Sequence, residues 1–329
     1  MPRRLFAAAV ALAALIALQP TSPAAADGEV FRFADAQIVE SSSLVDLGSL
    51  VVTANDSGHP PNVYVVDAHS GQTVGITYLH TPAVDIEAMV YAGHSRVWVG
   101  DIGDNTRQRR FVSLYLAPVA HRRLDVQPHP YNLVYPDGPH DAESLFTDPT
   151  GRLYVVTKSV TGGAVYRAPA RLDTRYGNRL QKIADVADFA TDAAMMPDGK
   201  HVIIRSYGLA GVYTFPDFHR VGSFALPAQQ QGEGISVAHD GRILLSSEGV
   251  HAPVLQVSLP TNLTDAMAGK VEPTASPTPT PATSSDTVSH DPAPDTTGGV
   301  SLKGLRWSVP LVLLVGAVGI GLALRRRRE

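Results

Sequence analysis

The sequence predicts an all-β fold, a β-propeller of five blades, with six as the alternative count. Three observations carry this expectation. Five segments align as internal repeats: ESSSLVDLGSLVVTAND from Glu40, EAMVYAGHSRVWVGD from Glu87, ESLFTDPTGRLYVVTK from Glu143, TDAAMMPDGKHVIIRS from Thr191 and EGISVAHDGRILLSSE from Glu233. In four of them a glutamate stands ten positions before the apolar residue that opens the second strand, as in Glu40 to Leu50, Glu87 to Val97, Glu143 to Leu153 and Glu233 to Ile243. Asp and Gly recur in the turn between the first two strands, at Asp148 to Gly151, Asp198-Gly199 and Asp240-Gly241, where a tight hairpin needs them. The opening glutamates are 47, 56 and, over two units, 90 residues apart. That matches propeller blades of roughly 40 to 50 residues.

Each element follows in chain order. Arg3 and Arg4, an apolar stretch from Leu5 to Leu18 and the triplet Ala24 to Ala26 read as a signal peptide over 1–26, with cleavage after Ala26. The apolar stretch is too short for the ~20 residues of a membrane span. The globular ectodomain is expected over 27–268. It opens with an unpaired strand-like run, Val30 to Val39, while the last unit ends after its third strand, so the N-terminal strand should close the last blade. Third strands are read in NVYVVDA, FVSLYLA, AVYRAPA, GVYTFP and PVLQVSL, with a more polar fourth between units. Pro, Thr and Ser dominate 269–304, a composition that cannot bury enough apolar surface to fold and is expected to form an extended stalk. Trp307 to Leu324 carries no charge and reads as one transmembrane helix, within a segment taken as 305–324. The arginines of the 325–329 tail place that end in the cytoplasm and the ectodomain outside, at the cell membrane.

Charge agrees with this division. Arg3, Arg4, Lys303, Arg306 and Arg325 to Arg328 account for eight of the 27 basic residues and sit in targeting or membrane segments, against one of the 31 acids. The remaining ectodomain is strongly acidic, which excludes nucleic acid as a partner and suits cations or cationic partners. With no cysteine there is no disulfide, thiolate metal site or cysteine nucleophile.

In a propeller the loops that lead into first strands and leave second strands share one mouth. Here those positions hold Glu40, Asp85, Glu87, Asp141, Glu143, Asp192 and Glu233, then Asp56, Asp101, Asp104 and Glu248. Asp85 with Glu87, and Asp141 with Glu143, are two apart and project to one side of a strand. Carboxylates crowded in a narrow opening are relieved by protonation or by an oxygen-liganded divalent cation. Calcium is the expected ion, with Glu40, Asp85, Glu87, Asp101, Asp141, Glu143, Asp192 and Glu233 as candidate ligands; the alternative is that these acids cap turns. GDIGDN (Gly100 to Asn105) lacks EF-hand spacing. Lys158 and Arg205 follow second strands and either hold a phosphate or carboxylate or neutralise the acids. His140 beside Asp141 is a minor catalytic candidate. Nucleophile-elbow, zinc-helix and phosphate-loop motifs are absent. The sequon Asn262-Leu263-Thr264 is assigned no role.

The runs NDSGHPPNVYVVD, VWVGDIGDN, YPDGPHDAESL, LYVVTKS and QGEGISV resemble exported propellers of high-GC bacteria, loosely phytase-like or esterase-like, over roughly 30 to 260. The acids that open the blades also resemble the ring of five-bladed calcium-dependent nucleotidases (apyrases), in which Glu and Ser hold a central calcium. On that likeness Glu87, Glu143 and Glu233 match the ring and Ser42 supplies another position, while Asp192 or Ala193 stands where that family places Ser. The reading that follows is a surface-anchored module that holds calcium and binds an extracellular ligand or protein partner. The alternative is a calcium-dependent phosphoester hydrolase acting on a phosphorylated small molecule, with Lys158 and Arg205 fixing the phosphoryl oxygens and Glu143 activating water.

Overall fold

The computed structural model describes residues 22–23 and 25–270. The expected stalk beyond residue 270, the apolar span, the arginine tail and most of the leader lie outside the described residues. Among the described residues no helix is long and apolar enough to cross a membrane.

Five antiparallel sheets follow one another along the chain. Blade one runs outward from Val45–Asp46 through Leu50–Ala54 and Asn62–Asp67 to Thr73–Leu79. Blade two comprises Ile86–Gly93, Arg96–Asp101, Val112–Pro118 and Tyr131–Val134. Blade three comprises Ala142–Thr147, Leu153–Thr157, Gly163–Arg167 and Gln181–Val186. Blade four comprises Asp192–Met195, His201–Arg205, Leu209–Thr214 and Arg220–Ala225. Blade five comprises Gly232–Val237, Ile243–Ser247 and Pro253–Ser258 and is completed by Ala25–Arg32, antiparallel to Pro253–Ser258. The ring therefore has five blades and closes through its N-terminal strand.

That strand ends earlier than the run Val30 to Val39 suggests. Asp35 Oδ1 accepts the Gln37 amide at 2.9 Å and turns the chain after Arg32, while Phe33 and Ile38 are fully buried between blades five and one. The blades also carry short parallel additions that the sequence does not announce. Arg123–Val126 pairs with Thr73–Leu79 of blade one, Asn178–Arg179 with Tyr131–Val134 of blade two, and Ser22–Pro23, which falls within the 1–26 leader read from the sequence, with Arg220–Ala225 of blade four. Each covers an outer edge that would otherwise present unpaired backbone groups.

The second strands are continuously apolar because both faces are buried. In His201–Arg205, Val202 and Ile204 point into the cluster shared with blade three and Ile203 into the cluster shared with blade five. Alternate side chains of a strand leave opposite faces, so such a run serves two interfaces at once. Five apolar clusters fill the five junctions between neighbouring blades, the last joining Val51, Tyr64 and Val66 to Leu244, Val254 and Phe31. The turns expected at Asp148 and Asp240 form as read. Asp148 Oδ1 accepts the Thr150 amide at 2.8 Å and Asp240 Oδ1 the Arg242 amide at 2.9 Å, with Gly151 and Gly241 at φ +82° and +89°. A seven-residue helix, Thr261–Met267, follows blade five and buries Leu263. The innermost strands surround a central cavity of about 200 Å³, to which Val45, Val90, Phe146, Ala194 and Ser236 contribute, one from each blade.

Candidate functional site

The innermost strands begin at one face, and three of the glutamates that open blades sit in β-bulges there. Pairing between the first two strands slips at Glu87 between Ile86 and Ala88, at Glu143 between Ala142 and Ser144, and at Glu233 between Gly232 and Ile235. A bulge re-aims the extra side chain, and here it does so at the same place in blades two, three and five. Blade four has no such slip: Asp192 pairs with Arg205 and Ala193 with Ile204. Its carboxylate instead accepts the amides of Ile235 and Ala193, both at 2.8 Å, and ties blade four to blade five. In blade one Ser42 Oγ donates to the Ile86 carbonyl at 3.1 Å.

Asp56, Asp85 and Glu87 converge: one carboxylate oxygen of each lies within 4.8 Å of those of the other two. Asp56 follows the second strand of blade one, and its backbone amide donates to the Glu40 carbonyl at 3.0 Å. Asp85 and Glu87 are more than nine-tenths buried. Asp85 Oδ1 has no hydrogen-bond partner, and no hydrogen bond or ion pair reaches the Glu87 carboxylate among the described residues. Burial, reinforced by the Asp56 charge, holds the Asp85 carboxyl up to about 7. Burial followed by repulsion from Glu143, Asp56 and Asp85 raises Glu87 well above the usual carboxylate range. Three carboxylate oxygens, two of them from buried side chains, fit a hard divalent cation.

The remaining candidates are dispersed around the mouth. Asp101 and Asp104 turn inward. Asp101 pairs with Arg109 at 2.8 Å and accepts the Asp85 amide at 2.9 Å, while Asp104 accepts the amides of Gln108 and Arg109 at 3.0 and 2.7 Å. Asp141 Oδ1 accepts the Asp104 amide at 2.8 Å. The GDIGDN loop therefore spends its carboxylates on backbone amides of flanking residues and on Arg109. Glu40 is half-buried, 2.9 Å from His59 Nε2, and bridges to Glu248 at the rim.

Glu143 and Glu233 lie in the mouth, and Lys158 supplies their counter-charge. Its ammonium bonds the Glu143 carboxylate and the Tyr207 hydroxyl, the latter at 3.2 Å, and stands 5.1 and 5.4 Å from the ring centroids of Phe189 and Tyr207. Burial works against this ammonium, but the attraction of Glu143 and Glu233 outweighs it and raises its pKa. Glu233 also accepts from Gln231 Nε2 at 3.1 Å. Arg205 is fully buried. It donates to the carbonyls of Gly234 and Ser246, the latter at 2.9 Å, and to Gln229 Oε1 at 2.5 Å, so its guanidinium spans blades four and five beneath the mouth. His140 stands apart with Asp137 and Tyr166, each 3.0 Å from Nε2.

Sequence reasoning set Asp56 at the mouth without naming it a ligand; the turn NDSG directly after a second strand is the signal that marks it. The bulges and the seating of Lys158 carry no such signal.

Fold and site together define a five-bladed β-propeller with an acidic, partly unpartnered channel mouth. No family model matches the chain, and no curated protein matches it. Solved structures with a similar chain path include a gluconolactonase from Xanthomonas campestris, at 16% identity over 74% of this chain and 90% of that one, with a TM-score of 0.42. Another is a calcium-binding protein, regucalcin, from Agrobacterium tumefaciens, at 16% identity over 67% and 76%, TM-score 0.41. A third is a streptogramin B lyase, at 10% identity over 71% and 97%, TM-score 0.39. Likeness at this level carries no argument about chemistry.

Proposed function

We propose that this protein is a cell-surface ligand-binding module that holds a divalent cation, calcium by its oxygen-only donor set, at the mouth of the propeller. The observation that supports this reading is the convergence of Asp56, Asp85 and Glu87 within 4.8 Å, with Asp85 and Glu87 buried and Asp85 Oδ1 lacking a hydrogen-bond partner. Two buried carboxylates that neither Arg109 nor Lys158 contacts directly are costly, and a cation coordinated by all three residues relieves that cost. Asp85, Glu87 and Asp56 would coordinate it directly, and Gly103, packed against Asp85, would hold the pair in place. The leader, stalk and apolar segment before the terminal arginines, as read from the sequence, support a place for the module at the outer surface of the cell membrane.

Calcium titration by calorimetry of the full-length chain, alongside Asp85→Asn and Glu87→Gln, tests the reading. Heat of binding in the parent and at least a tenfold weaker response in both variants is the expected result. An absence of binding in the parent at millimolar calcium rejects it.

The phosphoester-hydrolase alternative draws support from one observation, the Lys158 ammonium beside Glu143 in the same mouth. Arg205, fully buried beneath that mouth, is not placed to meet a phosphoryl group. Phosphate release from nucleotides or phytate that depends on calcium and on Glu143 would favour it over binding alone.

A further inference from the structure

Most of the exposed large apolar side chains among the described residues lie on the face that carries the acidic mouth. Among the described residues the large apolar side chains left exposed are Val84, Tyr91, Phe111, Val160, Tyr176, Tyr207, Leu209 and Val250. All but Tyr91 and Tyr176 lie where the chain leads into a first strand or passes from a second to a third strand, which is the mouth face. Val84 and Phe111 come from blade two, Val160 from blade three, Tyr207 and Leu209 from blade four and Val250 from blade five, with Val160 90% exposed. Exposed apolar groups gathered on one face, around a desolvated polar centre, are the composition of a recognition surface rather than of ordinary solvent-facing loops.

We propose that this face docks a protein segment whose lysine or arginine enters the acidic mouth while its flanking apolar side chains cover Val84, Phe111, Val160, Tyr207 and Val250. Charge complementarity selects that occupant. Asp85 Oδ1 and the Glu87 carboxylate are buried without partners, and the charge-assisted bonds of an ammonium or guanidinium satisfy them. The mouth already shows how it receives such a group: the Lys158 ammonium rests on the Glu143 carboxylate and the Tyr207 hydroxyl, against the paired rings of Phe189 and Tyr207. A ring spread over four blades suits a polypeptide, with a buried charge at the centre and apolar contacts that exclude water around it. The inference rests on reading this mouth as a ligand-binding site and not on the identity of its cation. The inserted charge and a divalent ion are alternative occupants of Asp56, Asp85 and Glu87, so each weakens the other.

The test uses the full-length chain and fluorescent nonapeptides in which one central lysine is flanked by leucine and phenylalanine, read by anisotropy in chelator. Central lysine or arginine should bind at least ~10-fold tighter than norleucine or glutamate at the same position. Val160→Ser with Val250→Ser should weaken that binding about fivefold without shifting the melting temperature, because both side chains face solvent. Saturating calcium should weaken it further. If calcium fails to bind but the lysine peptide is still preferred, the cation reading falls and docking stands. Equal binding of all the peptides, no binding at millimolar peptide, or an unchanged affinity in the valine variants overturns the docking proposal. Calcium-dependent binding to phosphatidylserine vesicles without peptide preference assigns the face to a membrane instead.

Discussion

Gly103 stands where a Cβ would fall 2.3 Å from Asp85 Oδ2 and 2.9 Å from Glu87 Cγ. The glycine lets the loop after Asp101 close over both carboxylates, and its backbone amide holds the Asp85 carbonyl at 3.2 Å. Gly103→Ala is expected to push the pair apart and weaken calcium binding by at least ~10-fold, about 1.4 kcal/mol. Calorimetric titration checks this, and an unchanged affinity would show that the site does not depend on this approach.

Lys158 supplies the counter-charge for a Glu143 side chain that is only 5% exposed. Lys158→Met leaves that carboxylate buried and alone, at a cost of about 3 to 5 kcal/mol. The variant should melt well below the parent, and Glu143→Gln in the same chain should restore much of the loss. A single variant as stable as the parent would remove the counter-charge role.

Asp85 titrates near 7 in the folded chain against an ordinary 3.8. Between those values the folded protein keeps a proton that the unfolded chain has released. The contribution to stability is therefore complete below about pH 4 and is lost as pH rises through 7, at most on the order of 4 kcal/mol. Without metal, melting temperature should fall across this window. Because the ion competes with the same proton, calcium affinity should rise over it. Melting curves from pH 4 to 8, with and without calcium, read both slopes; parallel curves would contradict the competition.

Arg205 has no exposed surface and binds carbonyls of Gly234 and Ser246 across the blade four to five junction. Arg205→Ala leaves those acceptors without their donor and removes the positive charge near Asp192, and a loss of about 3 to 5 kcal/mol is expected. At roughly 2 to 4 °C per kcal/mol for a domain of this size, the melting temperature drops by on the order of 10 °C. Calcium affinity of the folded fraction should not change, and a large change with little loss of stability would place Arg205 in the site.

Much of the architecture can be read from the chain itself. The recurrence of Glu40, Glu87, Glu143 and Glu233 and the turns at Asp148, Asp198 and Asp240 mark the blades, because both are local consequences of hairpin geometry. The additions Arg123–Val126 and Asn178–Arg179 are not marked. Each is a short polar segment whose pairing partner lies in another part of the sequence. At the mouth, residue types are legible and directions are not. Glu143 and Asp192 stand at the start of successive units, yet only Glu143 occupies a bulge, so one carboxylate reaches the mouth and the other braces a strand. Asp101, read as a ligand, meets Arg109 eight residues later, a pairing set by the path of the loop rather than by any repeat.

The pairing of Ala25–Arg32 with Pro253–Ser258 has a consequence for how the molecule comes into being. The Ala25–Arg32 strand precedes all five innermost strands yet has to wait for Pro253–Ser258, so four blades and most of a fifth are made before the ring can lock. Until then the inner faces of Val254 and Phe31 are open to water and to other chains. A chain truncated before Pro253 should therefore be found with chaperones or in aggregates rather than as a smaller, stable ring.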